Sequence, residues 1–189
     1  MPTQPTNSPR SAETRARILA VAQHLFATKG FTNAGLREIA GEAQVAPSLV
    51  LKYFGSKALL FEAALTAAIL PIGEFQSDRP RFGETVVHSM LDREVAILAP
   101  AMIALSLGEA SSREISARVV RRQIIDPIAM WLSNEGDTTD LIARSVTIFL
   151  MSTGFALGTR SMDLGLDGEA RSRVVRRFIG AIQAMVDEA

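Results

Sequence analysis

Few residues in this chain have the types and spacing that covalent chemistry requires. Among 189 residues there is no cysteine, which excludes disulfides and thiolate chemistry and fits a reducing compartment. The two histidines, His24 and His88, leave little for metal binding or acid–base work. Asp137, Asp140, Asp163 and Asp167 stand in loop or cap positions, where Asp is common for conformational reasons. There is no nucleophile–base–acid set, phosphate-binding loop, dinucleotide fingerprint or metal-ligand cluster. The chain therefore reads as a non-enzyme without a cofactor. What remains is charge. The net charge is zero, but residues 1–60 hold Arg10, Arg15, Arg17, Lys29, Arg37, Lys52 and Lys57 against Glu13, Glu38 and Glu42, a net +4. The remainder, with 13 basic and 17 acidic residues, carries −4. A basic N-terminal third on an acidic body is the footprint of a nucleic-acid-reading head joined to a separate body.

The elements that would position these cations are short helices. Leu36, Ile39, Ala40 and Ala43 fall at i, i+3, i+4 and i+7, one apolar face of a two-turn helix. Gln44-Val45-Ala46 interrupts it, and Pro47 fits the first turn of a second helix, where its missing N–H costs nothing. Val50 and Phe54 give that helix an inner face. Gly55-Ser56 ends it, and Ser56 can cap a further helix that opens at Lys57. Two short helices joined by a three-residue turn make a helix-turn-helix, whose second helix enters the DNA major groove. Upstream, Ser11 is a candidate cap for a helix over residues 11–29. Its Ile18, Leu19, Ala22, Leu25 and Phe26 recur at helical spacing, and Gly30 suits the position after its end.

Residues 12–65 resemble the DNA-binding domain of the TetR family of bacterial transcriptional regulators. The matching set is Ala22, Leu25, Phe26, Gly30, Phe31, Arg37-Glu38-Ile39-Ala40, Ala43, Val45, Pro47, Tyr53-Phe54, Ser56-Lys57, Leu60 and Phe61. The resemblance implies DNA contacts on Pro47, Ser48, Leu49, Leu51, Lys52 and Tyr53, with Arg37 on the preceding helix and Lys57 opening the next. Side-chain type then gives each its role. Arg37 can pair bidentately with guanine, and Pro47 and Leu51 can meet thymine methyls. Ser48 and Tyr53 offer hydroxyls to phosphate, and Lys52 and Lys57 neutralise phosphate charge. The competing readings are a salt bridge to a local Glu for Arg37, a solvated lysine for Lys52 and a half-buried packing residue for Tyr53. Three positions depart from the family pattern. Gly35 stands where Ser or Thr is usual before the first helix. Gln44 stands where the turn usually has Gly, so a non-Gly residue must adopt positive φ. Ala46 stands where Ser normally caps the recognition helix.

Beyond residue 65 only helix pattern and length agree with the family. No run of 18 apolar residues is free of charges or turn residues, and no basic-then-apolar leader appears, so a cytoplasmic chain with no membrane partner is expected. Residues 1–10 read as a disordered arm, with Arg10 as a candidate phosphate or minor-groove contact. A fourth helix spans 56–70, followed by a loop. Helices are expected over 82–98, ending before Pro100, then 101–109, 112–134 with a kink or division at Pro127, 139–160 and 169–187.

The expected fold is all-α. A helix-turn-helix DNA-binding domain covers 11–70, with the motif itself at 35–54, and a helical ligand-binding and dimerisation domain covers 71–189. The resemblance implies an effector pocket in that body, with Met90, Met102, Trp131, Phe149 and Phe155 as candidate lining. Met and aromatic residues at this spacing also simply fill cores. Few buried charges are apparent, which favours a small, apolar effector. The helices over 139–160 and 169–187 are the expected homodimer interface, with Gly154 and Gly158 on one face permitting close approach. The implied function is a ligand-responsive regulator, a repressor, that reads palindromic double-stranded operator DNA. The alternative is a helical ligand- or partner-binding dimer whose head reads DNA poorly, and Gly35, Gln44 and Ala46 are what keep it open.

Overall fold

The computed structural model describes residues 9–76, 78–91, 97–133 and 140–187, and these contain helices and turns but no strand. The expected arm lies almost wholly outside the described residues. The chain forms two compact units, one built from residues up to Ala67 together with Met102–Ser116, the other from Ala68–Ala101 and Ala117–Ala189.

In the first unit, helix α1 (Pro9–Asn33) is broken at Gly30, whose φ of 75° and ψ of 172° only glycine adopts freely. Ile18, Ala22, Leu25 and Phe26 form its buried stripe. Phe26, Phe31 and Phe61 pack with ring centroids 5.1–6.1 Å apart, which ties α1 to α4 (Lys57–Ala68). Helices α2 (Leu36–Glu42) and α3 (Pro47–Phe54) bury Ile39, Ala40, Val50 and Phe54 against this frame. The turn between them is a Schellman motif. Val45 N–H reaches Ala40 O at 2.9 Å and Gln44 N–H reaches Gly41 O at 3.1 Å. That geometry requires a left-handed residue, and Gln44 supplies it at φ 55°. Pro47 opens α3, and Ser56 caps α4 through a 3.1 Å bond from Leu59 N–H. Gly35 and Ala46 precede their helices in extended conformation with no side-chain cap bond.

Helix α6 (Leu98–Ser106) leaves the second unit after Ala101, so its end and most of α7 (Ala110–Val120) belong to the first. Leu105 there packs on α1: a Cβ on Gly30 would lie 3.4 Å from Leu105 Cβ. The helix expected over 82–98 is shorter. Helix α5 spans Phe82–Leu91, and residues 92–96 lie outside the described residues. Pro100 does not end a helix. It sits in the first turn of α6, where no intrahelical donor is lost. The helix expected over 112–134 is divided as the proline demands. After α7 a π-helical turn, Arg121–Ile125, widens the ladder before Pro127, which opens α8 (Asp126–Leu132).

In the second unit, α5 lies against α10 (Gly168–Asp187) so closely that a Cβ on Gly83 would stand 2.4 Å from Ile179 O and 2.9 Å from Gln183 N. Gln183 fixes the crossing. Its Oε1 accepts from Gly83 N–H at 3.0 Å, and its Nε2 donates to Arg79 O at 3.1 Å. The C-terminus of α10 is capped by two arginines. Arg79 donates to Val186 O at 2.8 Å, and buried Arg144 donates to Met185 O at 2.8 Å and Val186 O at 3.2 Å. Two cations, of which Arg144 is buried, are thereby placed where the helix presents unpaired carbonyls and partial negative charge. Arg144 stands on α9 (Leu141–Ser161), which follows Asp140 in left-handed conformation.

Two substitutions test the two glycine-shaped sites in opposite directions. Gln44→Gly relieves the left-handed residue and is expected to raise stability by about 1 kcal/mol. Gly83→Ala forces backbone apart and is expected to cost about 2 kcal/mol or more. Thermal or urea unfolding of both variants reads the difference; equal effects would contradict the helix crossing described.

Candidate nucleic-acid interface

Packing decides which way α3 points. With Val50 and Phe54 buried, Pro47, Ser48, Leu51 and Lys52 are exposed and Leu49 and Tyr53 half-buried. Leu51 is 46% exposed, a large apolar side chain offered to solvent on the face a groove would meet. Arg37 is exposed on α2. The glutamate beside it does not take it: Glu38 pairs with Lys29, and this bond lowers the Glu38 pKa and raises that of Lys29.

The basic charge counted in the sequence is divided between two jobs. Arg17 donates to Ala43 O at 2.9 Å, closing the C-terminus of α2 at the turn. Arg15 lies over the Phe54 ring, 5.0 Å from its centre. Lys29 is held by Glu38. The Lys57 ammonium donates to Thr32 O at 3.1 Å and lies 4.8 Å from the Phe31 ring centre. Burial lowers its pKa, and the charge of Glu109 acts the other way. Arg10, Arg37 and Lys52 are exposed and make no such contact among the described residues. Tyr53 bonds Ser11 at 3.0 Å, which ties the last turn of α3 to the first turn of α1 and sets Arg10 next to it. Sequence gave no sign of the roles of Arg15 and Arg17, because each depends on a partner more than 25 positions away.

Residues 18–64 match the family model of the bacterial regulatory proteins of the tetR family. Residues 18–64 form a TetR-family domain. The TetR-type head is the DNA-binding part of a transcriptional regulator, and α2 and α3 are its helix-turn-helix. Solved structures share the fold over 89–93% of the chain. A Rhodococcus sp. protein assigned to the TetR family superposes with a TM-score of 0.69 at 20% identity, covering 93% of this chain and all of that one. NalD, the secondary repressor of the MexAB-OprM multidrug efflux pump in Pseudomonas aeruginosa, gives 0.61 at 21% identity over 89% of this chain and 96% of its own. A Saccharomonospora viridis protein solved in complex with choline gives 0.63 at 17% identity over 89% and 96%. At these identities the likeness is one of fold. No curated protein sequence matches the chain.

The residues expected to line an effector pocket are only partly brought together. Met90 and Trp131 pack against the core that contains Phe155, in the second unit. Trp131 stacks on Phe82 at 4.9 Å under the Arg79 guanidinium. Phe155 packs on Phe178 at 4.8 Å. Phe149 is half-buried on α9, whereas Met102 is fully buried in the first unit. Near Phe155, Ser152 is buried, yet its hydroxyl has no partner among the described residues, unlike Ser145 and Thr159 on the same helix, which bond the carbonyl four residues back.

The Ser11–Tyr53 bond is expected to hold the recognition helix in place. A double-mutant cycle of Ser11→Ala and Tyr53→Phe should give a coupling of about 0.5–1.5 kcal/mol in unfolding free energy. A coupling of zero would mean that the two hydroxyls only share solvent.

Proposed function

We propose that this regulator is a ligand-responsive repressor that binds palindromic operator DNA as a homodimer in the cytoplasm. Arg37, Pro47, Ser48, Leu49, Leu51, Lys52 and Tyr53 meet DNA, with Lys57 at the edge of the contact. The observation that carries the DNA reading is the division on α3: an inner face locked into the head core, and an outer face of small, apolar and cationic side chains left for a groove. Arg37 reads a base and Lys52 a phosphate.

Dimerisation rests on α9. One side buries Leu141, Ile148, Phe155 and Ala156, while Ile142 is 41% and Leu150 60% exposed. A Cβ on Gly154 or on Gly180 of α10 would meet nothing within 4 Å, so nothing among the described residues requires their smallness. A second copy packed across α9 and α10 would use both the apolar face and the close approach. Effector binding in the second unit fits a core with Met90, Met151 and Trp131 at its edge, and the buried Ser152 hydroxyl on α9 has no partner among the described residues. Such a ligand is mostly apolar with one hydrogen-bonding group. A relative of the same fold represses an efflux pump and another holds choline, which supports a repressor with a small-molecule effector.

The test is fluorescence anisotropy on DNA flanking the protein's own gene and on scrambled DNA, at two salt concentrations. Wild type is expected to bind the flanking DNA selectively and to weaken steeply with salt. Lys52→Ala should weaken all sequences and reduce the salt slope by about one, whereas Arg37→Ala should cost about 1–3 kcal/mol and relax base preference. Unchanged affinity and preference in Arg37→Ala would remove the role given to Arg37. Weak binding that is equal on both DNAs would favour the reading of a helical dimer with an impaired head.

A further inference from the structure

Two non-glycine residues among those described adopt left-handed backbone, Gln44 at φ 55° and Asp140 at φ 73°. Asp tolerates that conformation better than most residues, because its short polar side chain can bond locally. Gln is not of that kind. Its place after α2 is one that glycine fills at no steric cost. A glutamine there costs the head stability, and no contact of its side chain offsets the loss. That side chain is exposed and makes no hydrogen bond among the described residues. The bonds of the turn, Gln44 N–H to Gly41 O and Val45 N–H to Ala40 O, are backbone bonds that a glycine would keep.

The neighbouring surface indicates what the side chain can do. In a helix-turn-helix the first residues of the second helix meet base edges. Here the exposed ones are Ala46, Pro47 and Ser48, which offer a methyl, a ring without a donor and one short hydroxyl. None of these makes the paired hydrogen bonds that identify a purine. The long polar side chains exposed on α2, the turn and α3 are Arg37, Glu42, Gln44 and Lys52. A carboxylate only accepts, and an ammonium only donates. Arg37 suits guanine, and the Gln44 carboxamide carries the donor and acceptor that adenine N7 and N6 require. Gln44 stands three residues before Pro47, in a turn fixed by its backbone bonds and by Arg17, which donates to the adjoining Ala43 O at 2.9 Å. A side chain that starts from a fixed backbone loses less freedom on binding.

We propose that Gln44 is a specificity-determining residue of the DNA interface, whose carboxamide bonds N6 and N7 of one adenine in the major groove of each half-site. This rests on the DNA-binding reading above and adds to it a base contact that the start of α3 does not supply. Glycine would relieve the turn and remove the contact. The left-handed glutamine exchanges some stability of the head for selectivity on DNA.

The test is selection from a library of randomised duplexes by full-length wild type, Gln44→Ala and Gln44→Gly. Anisotropy on the wild-type consensus duplex and on its single-pair variants then gives affinities. Wild type is expected to require an A·T pair at one position in each half-site. Both variants should lose that requirement, bind the consensus about ten-fold more weakly and keep the wild-type preference elsewhere. Thermal unfolding separates the amide from the backbone. Gln44→Gly is expected to melt roughly 2–4 °C above wild type, and Gln44→Ala, still left-handed with a Cβ, to show no such gain. Weaker binding in Gln44→Gly beside wild-type binding in Gln44→Ala would assign the effect to the backbone and overturn the carboxamide contact. An equal loss on every duplex would make it a phosphate contact and overturn the base reading. An A·T requirement that persists in both variants would do the same. If wild type selects no consensus, the operator-reading function fails and this contact fails with it. A wild-type consensus that is indifferent to Gln44 defeats this proposal alone.

Discussion

The recognition helix is only eight residues long, and helices of that length do not persist alone in water. Everything that makes it a reading surface is therefore supplied from outside it. Val50 and Phe54 are buried in the head core, Tyr53 is held by Ser11, and its start is fixed by the turn after α2. That turn in turn depends on Arg17, whose guanidinium satisfies the Ala43 carbonyl at the end of α2. The Schellman bonds, the Arg17 cap and the left-handed Gln44 form one connected device that sets the angle between α2 and α3. The missing cap hydroxyls at Gly35 and Ala46 weaken the helix starts but leave this device intact, since it works through the helix end.

Charge in the head follows from the same economy of short elements. Four of its seven cations have partners inside the head: Arg15 on a ring, Arg17 and Lys57 on carbonyls near helix ends, and Lys29 on Glu38. A net count of basic residues thus points to the right partner class and overstates the number of phosphate contacts. The exposed Lys29–Glu38 pair adds little to stability. Its effect is to take Glu38 away from Arg37, which leaves the guanidinium on the groove side uncommitted.

How much of this was legible in the sequence depends on how local each feature is. The helix-turn-helix could be read residue by residue, including the positive φ at Gln44, the opening proline of α3 and the Ser56 cap, because each involves neighbours within five positions. The division at Pro127 was legible for the same reason, although the π-turn that accommodates it was not. Pro100 was misjudged because a proline ends one helix and opens another with equal ease, and only the neighbouring elements say which. Gly83, Gln183, Arg79 and Arg144 carried no signal. Their meaning comes from contacts 40 to 107 positions apart, which periodicity cannot see. The bond from Lys57 to Thr32 O is likewise non-local, 25 positions apart.

Helix α9 shows how composition and context can pull apart. It is long and apolar enough to cross a membrane, with 33% of its most apolar stretch buried against this chain. A membrane span would face lipid with its second side. That reading conflicts with Arg144, whose buried guanidinium is used to close α10, and with Ser145 and Ser152 on the packed side. A helix that is apolar nearly all round also belongs in the middle of a protein layer. Here α5, α8 and α10 cover one side, and the other, from Ile142 through Leu150 to Gly154, has no cover among the described residues. An apolar face of this length is costly to leave in water, and the absence of anything packed against Gly154 makes it flat enough for a second helix to approach. The sequence of a two-sided core helix and that of a membrane span differ little; the carbonyls that Arg144 satisfies are what distinguish them here.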